Sequence, residues 1–218
     1  MRIIDLSHDI YSGMPVLLGD PETDVREGSS IASTGYNITR LIFSSHVGTH
    51  LDAPSHFFDR GCTVDKLDLM TCVGPARVIK IPDKGPRSEI HLSDIEQHRE
   101  AFAPGARVIL NFGWYKVFPE ERFYAAMPGI RPECTRWIAD SGIALLGLDL
   151  PGLHAEYWKE THQILLRKGI VIVEALTNLD AITADEIYFV ALPLKIQDGD
   201  GSPVRAIAIE NSGGRTVG

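Results

Sequence analysis

Four short apolar runs limit what this chain can become. They are "PARVIKI" (75–81), "ARVILNFGW" (106–114), "IALLGLDL" (143–150) and "GIVIVEAL" (169–176), each bounded by Gly, Pro or Asp. Their length favours strands over core helices, and their near-continuous apolar character points to strands buried on both faces. "RIIDLSHDI" (2–10) and "YNITRLIFSS" (36–45) show instead the near-alternation of half-buried strands. Helical signals are interspersed. In "SEIHLSDIEQHREAF" (88–102), Ser93 followed by Glu96 predicts a capping box. "RPECTRWIADSG" (131–142) reads as an amphipathic helix. "AEYWKETHQILLRKG" (155–169) predicts a helix that stops at Gly169, with Arg167 and Lys168 in its last turn. "YFVALPLKI" and "RAIAIE" flank "QDGDGSPV" (197–204), which reads as a hairpin with a Gly-rich turn. With no repeat, low-complexity tract or linker, the expectation is one α/β domain over residues 1–218, built on a mixed sheet or two sheets.

Charge and composition exclude several classes of partner. The 218 residues carry 29 acidic and 21 basic side chains, a net charge of −8. A binder of phosphate backbones needs the opposite sign, so no nucleic-acid partner is expected. No run of about 18 apolar residues predicts a membrane span, and "MRIIDLSHDI" lacks the apolar core of a secretory signal. Cys62, Cys72 and Cys134 are odd in number and far apart. They fit neither a disulfide framework nor a C-x-x-C pair, so reduced thiols in a cytoplasm are expected. Cys134 is a candidate nucleophile, but its place in an amphipathic helix favours packing.

The chemistry concentrates in "HVGTHLDAPSH", residues 46–56. His46 and His50 have helical spacing, but Gly48 between them and Pro54 beyond argue against a regular helix. A turn leading into a short helix is expected. His50 and Asp52 are two apart, so an extended backbone could aim both at one point. Two imidazoles and a carboxylate form the N/N/O donor set of catalytic zinc and related divalent ions. His56 would then be free for proton transfer, for which an imidazole titrating near neutral pH is suited. The competing reading is a polar loop of hydrogen-bonded or solvated histidines, and spacing alone divides the two about evenly.

The stretch matches H-x-G-T-H-x-D-x-P-x-H at every fixed position, and so resembles the cyclase-like metal-dependent hydrolases, a family that includes bacterial-type kynurenine formamidases and isatin hydrolases. The likeness runs over nearly the whole chain: "IDLSHDIYSGMPV" resembles the family's N-terminal segment, "GLDLPG" its G-[IL]-D-x-P stretch, and "THQILLRKGIVIVEALTNLD" its H-x-x-L-L-x-x-x-I-x-[IL]-E-x-L-x-N-L block. The resemblance implies a swivelling β/β/α fold, a homodimer or homotetramer, and one or two zinc or manganese ions per chain. It implies His46, His50 and Asp52 as ligands of a first ion, His162 and Glu174 as ligands of a second, Asp52 between them, and His56 as the proton-transferring residue. Independently, Glu174 lies in an apolar strand run, where a buried charge needs a partner. That partner is an ion, or else an Arg or Lys.

The chain departs from the family in two places. "MPVLLGDP" carries Leu17 and Leu18 where kynurenine formamidases place Trp-Pro, an aromatic expected against the substrate ring. Leu153 and His154 follow "GLDLPG" where many members have a Ser and Asp run; His154 could line the pocket, but an exposed loop position is the stronger expectation. His8 is expected to be structural, His91 and His98 solvated. Trp114, Tyr115, Phe57 and Phe58 are either pocket walls or core. No G-x-S-x-G elbow supports a serine hydrolase. The sequence therefore predicts metal-dependent hydrolysis of a small amide, imide or lactone. Kynurenine formamidase proper, a Lewis-acid cyclase or dehydratase, and a non-catalytic metal-dependent binding module are the alternatives. A free imidazole beside the ion argues against the last.

Overall fold

The apolar runs lie side by side at the centre of one sheet. The structure, a computed structural model, describes residues 1–81 and 84–210, so the expected domain's residues 82–83 and 211–218 lie outside it. Nine strands build the sheet: β1 (Arg2–Asp5), β2 (His50–Asp52), β3 (Val73–Lys80), β4 (Arg107–Asn111), β5 (Leu145–Leu148), β6 (Val171–Glu174), β7 (Glu186–Val190), β8 (Gly201–Pro203) and β9 (Ile207–Glu210). Their order is β1-β9-β7-β3-β4-β5-β6-β2-β8. Strands β3 to β6 are parallel neighbours, and every other pair in the sheet is antiparallel. The sheet is thus mixed, as expected.

Burial follows from that order. Successive residues of the central strands point to opposite faces. Val108, Leu110, Leu146, Leu148 and Ile172 enter one apolar cluster. Ile109, Leu145, Val171 and Val173 enter another on the opposite face. The first cluster is closed by helices α1 (Pro132–Ser141) and α2 (Trp158–Arg167), which bring Cys134, Ile138, Leu165 and Leu166 onto the sheet. Pro132 opens α1 where its missing N–H is harmless, and Gly169 stops α2 as predicted with φ +77°.

Three expectations need correction. β3 alternates buried and exposed positions rather than burying both faces, because its partner β7 belongs to the half-exposed antiparallel wing. The helix of residues 92–95 is capped two residues earlier than predicted: Asp94, not Glu96, reaches back, accepting from the His91 N–H at 2.8 Å. Finally, β7 and β9 do pair, but "QDGDGSPV" is no tight turn between them. It carries β8, which crosses to the far edge of the sheet and pairs with β2.

Two short ladders stand outside the sheet. Glu89–Ile90 runs parallel to Gly129–Ile130, and Asp24–Ser29 runs antiparallel to Ile38–Ile42. The latter is an arm with no buried position along either strand.

Leu146 is fully buried in the central β5. Leu146→Ala should cost about 2–5 kcal/mol, read as a fall in the urea midpoint at unchanged slope.

Candidate metal centre

The motif unfolds into a turn, a strand and a 3-10 turn. Gly48 takes φ +57°, which lets the chain fold back before it enters β2. His50 and Asp52 therefore share one face of an extended strand, while Leu51 points into the opposite core. The helix expected after the turn is reduced to residues Pro54–His56. In the antiparallel register Glu174 stands opposite His50 and Ile172 opposite Asp52, so Glu174 shares that face. Helix α2 covers the same side and lowers His162 onto it. Ala175, directly after Glu174, has φ +51°, a conformation costing a non-glycine residue about 1 kcal/mol or more. It is pinned there: its N–H donates to the Leu150 carbonyl at 2.8 Å and its carbonyl accepts the Thr49 hydroxyl at 2.6 Å.

The donor atoms converge. His46 Nδ1 lies 2.8 Å and His50 Nε2 3.4 Å from Asp52 Oδ1. His50 Nε2 is 3.5 Å from Glu174 Oε2, and His162 Nε2 is 3.0 Å from Glu174 Oε1 and 3.7 Å from Asp52 Oδ2. Two trios have their donor atoms within 4.8 Å of one another: His46, Asp52 and His56, and His50, Asp52 and Glu174. Adjacent ligands of one ion at about 2.1 Å stand about 3–3.5 Å apart, which is the spacing seen here. The ring nitrogens facing away are also engaged. His50 Nδ1 meets the Gly48 carbonyl at 2.9 Å, His162 Nδ1 the Trp158 carbonyl at 2.5 Å, and His46 Nε2 the Asp200 carboxylate at 2.9 Å. Ligating histidines are held in this way, the outer nitrogen fixed so that the inner one meets the ion.

Charge gives the same answer. Asp52 and Glu174 are 1% and 4% exposed, and among the described residues no lysine or arginine lines the cavity they face. The ion pair with Arg or Lys considered for Glu174 is therefore not its partner; His50 and His162 are. Burial opposes a charged His46, but Asp52 and Asp200 outweigh it and hold its pKa at about 10. Burial likewise opposes charge on Asp52 and His162. His46 and His50 hold the Asp52 carboxyl well below its usual range, and Glu174 raises His162. Carboxylates this buried, balanced only by imidazoles, fit a divalent cation.

A cavity of about 580 Å³ opens onto the cluster. Phe57 and Trp158 form an apolar wall, with Phe57 stacked on His162 at 5.2 Å between centroids. Tyr124 and Met127 line the cavity from the segment 112–130, and Leu17 and Leu18 from the N-terminal loop. Burial first, then repulsion by Glu174, pushes the Tyr124 hydroxyl pKa upward, so it stays protonated. A surface groove of about 650 Å³ beside Arg77 and Arg107 is larger but contains none of the clustered imidazoles.

Comparisons with known proteins identify the family. A family model described as "Putative cyclase" matches residues 4–155. The chain belongs to that family. Among its cyclase-family relatives, the kynurenine formamidase of Geobacillus thermodenitrificans is 34% identical over 209 residues, covering 93% of this chain and 95% of the relative. That of Paracidovorax citrulli is 32% identical over 206 residues, covering 93% and 94%. The solved structure of isatin hydrolase A from Labrenzia aggregata, bound to benzyl benzoate, superposes with a TM-score of 0.83 at 26% identity, covering 95% of this chain and 93% of that one. The mixed α/β architecture is thus that of cyclase-family hydrolases.

The other candidates fall on either side of the cavity wall. His154 is buried and lines the cavity, not exposed as expected; its ring lies across Gly129, where a Cβ would come within 2.4 Å of it. Trp114 is core, its indole N–H donating to the Phe123 carbonyl. The His8 ring packs on Phe118 at 4.1 Å and is not part of the cavity lining among the described residues. Burial pushes the Cys72 and Cys134 thiols up to about 11 and about 12, which suits packing and not nucleophilic attack. Asp200 is not among the residues expected at the site; its contacts with His46 and His56 are tertiary and have no local signal.

Two measurements follow. His50→Ala should remove most of the divalent ion from purified protein, read by elemental analysis, and chelation should lower the melting temperature; folded protein that takes up no divalent ion at micromolar levels contradicts the centre. Alkylation of the folded protein at pH 8 should add one adduct by intact mass, at the exposed Cys62; a second adduct means that a buried thiol reacts.

Proposed function

We propose that this chain is a metal-dependent hydrolase that cleaves a small amide or imide, with lactones as the C–O counterpart, and that residues 1–218 act as one domain. The observation that carries the reading is the pair of buried carboxylates, Asp52 and Glu174, ringed by histidines at the floor of an apolar-walled cavity. His46, His50 and Asp52 would hold one ion, and His162 and Glu174, with Asp52 between, a second. Zinc and manganese both suit such donors. A divalent ion there supplies Lewis-acid polarisation of a carbonyl and brings the pKa of water down to about 7.

The protein's own part is orientation and proton movement. His56 Nδ1 faces Asp200 Oδ2 at 3.2 Å, and among the described residues no hydrogen bond occupies its Nε2. His56 takes a proton from water through Nε2 as the oxygen attacks the carbonyl carbon. It returns the proton to the nitrogen or oxygen that leaves as the C–N or C–O bond breaks. Phe57 and Trp158 keep one side of the cavity apolar. A binding module would need no such proton acceptor.

The relatives' names favour a second reading, hydrolysis of N-formylkynurenine. Against it stand Leu17 and Leu18, which line the cavity at the positions where kynurenine formamidases carry Trp-Pro; the rings of Phe57, Tyr124 and Trp158 come from other parts of the lining. A homodimer or homotetramer is part of the proposal. The exposed arm of residues 24–42 supports it, since an isolated two-stranded ladder is marginal in water and this one presents Ile38, Leu41 and Ile42 to solvent. The cytoplasm is the proposed compartment, in keeping with free cysteines.

His56→Ala should keep the ion and the fold while lowering turnover of the best formamide, cyclic imide or lactone about 10²–10⁴-fold. If that variant loses its ion as completely as His50→Ala, His56 is a ligand, and the proton acceptor is another group. N-formylkynurenine should be a poor substrate; a kcat/KM of about 10⁵ M⁻¹s⁻¹ or more would establish the second reading instead.

A further inference from the structure

Asp200 stands where the ion-holding and proton-moving sides of the cluster meet. Its Oδ2 accepts from His46 Nε2 at 2.9 Å and from His56 Nδ1 at 3.2 Å, and its Oδ1 accepts from the Ser45 hydroxyl at 2.9 Å. The two rings lie 4.0 Å apart between centroids. No other carboxylate hydrogen-bonds to His56 among the described residues.

The backbone fixes Asp200 in that place. Its carbonyl accepts the Ala53 N–H at 3.0 Å, just past β2. The next residue, Gly201, pairs with Asp52. A Cβ on Gly201 would lie 2.6 Å from His46 Cε1, so the bare Cα lets the His46 ring close on the carboxylate. The Gly-rich segment is thus fitted to the motif strand, and the carboxylate is delivered to both rings at once.

A neutral imidazole has one N–H and one bare nitrogen. A ring that commits Nδ1–H to a carboxylate presents a bare Nε2, and a ring that commits Nε2–H presents a bare Nδ1. Asp200 takes the opposite nitrogen from each ring. That leaves Nδ1 of His46 beside Asp52, and Nε2 of His56, whose ring lines the cavity.

We propose that Asp200 is the positioning residue for both halves of the site: one carboxylate oxygen turns His46 to hold the ion and fixes His56 in the tautomer that accepts a proton through Nε2. Its consequence for rate rests on the hydrolase reading; its consequence for the tautomers does not.

Asp200→Asn and Asp200→Ala, with circular dichroism to confirm folding, test this on the full chain. Long-range ¹H–¹⁵N spectra of the imidazoles should show His56 as the Nδ1–H tautomer in the native protein and mixed or reversed in Asp200→Ala. Zinc titration of chelated protein by calorimetry should show affinity lowered about 10–100-fold. With formanilide and isatin as rate probes, kcat should fall over a similar range while KM changes little. In a His56→Ala background, Asp200→Asn should weaken zinc again without further loss of rate. Ser45→Ala, which frees only Oδ1, should shift the same quantities less, and serves if the Asp200 variants fail to fold. Unchanged tautomers and zinc affinity in folded variants overturn the proposal while leaving the hydrolase reading intact. A native protein that takes up neither zinc nor manganese overturns the ion half together with that reading.

Discussion

Two almost fully buried carboxylates organise this molecule. Asp52 and Glu174 stand on adjacent antiparallel strands, face the same side and sit almost fully buried. Placing such charges in a core costs several kcal/mol each unless something answers them. Here the answer is a ring of imidazoles, and among the described residues no lysine or arginine lines the cavity. Much of the local architecture serves to hold that ring: the fold-back at Gly48, the left-handed Ala175, the descent of α2 onto the sheet, and the glycine at 201 that yields space to His46. A polar loop of solvated histidines would need none of these.

The parts of the fold that were legible in the sequence were those whose signal is local. The central strands β4, β5 and β6 announced themselves because burial on both faces leaves an unbroken apolar run. The C-terminal end of helix α2 was readable because Gly169, two residues past Arg167, is where the chain turns left-handed. β3 was misread because an apolar run in a half-buried strand looks the same until its neighbour is known. Likewise, His91 and Asp94 form the cap expected of Ser93 and Glu96, a two-residue shift that local sequence does not decide.

The site was legible in a different way. The spacing of His50 and Asp52 was sufficient to predict one strand face, and the structure has that face. His162 and Glu174 entered through family likeness; the register of β6 against β2 brings Glu174 to the cluster, and helix α2 brings His162. Asp200 was invisible because its importance is wholly tertiary: nothing in "QDGDGSPV" reports that the segment crosses the sheet to lie against residues from the far end of the chain. His154 was missed for a related reason, its burial depending on a bare glycine in a strand that belongs to another ladder.

That crossing also sets a sequence of events. The motif strand β2 is flanked by β6 and β8, both drawn from the last quarter of the chain. Closing contacts over so long a stretch is slow, because loop entropy is lost before pairing compensates it. A nascent chain therefore carries the motif's histidines and carboxylate for most of its synthesis without the neighbours that orient them. The cluster is finished only when the final strands dock, so the centre is assembled as a late product of folding and not as the seed around which the fold grows.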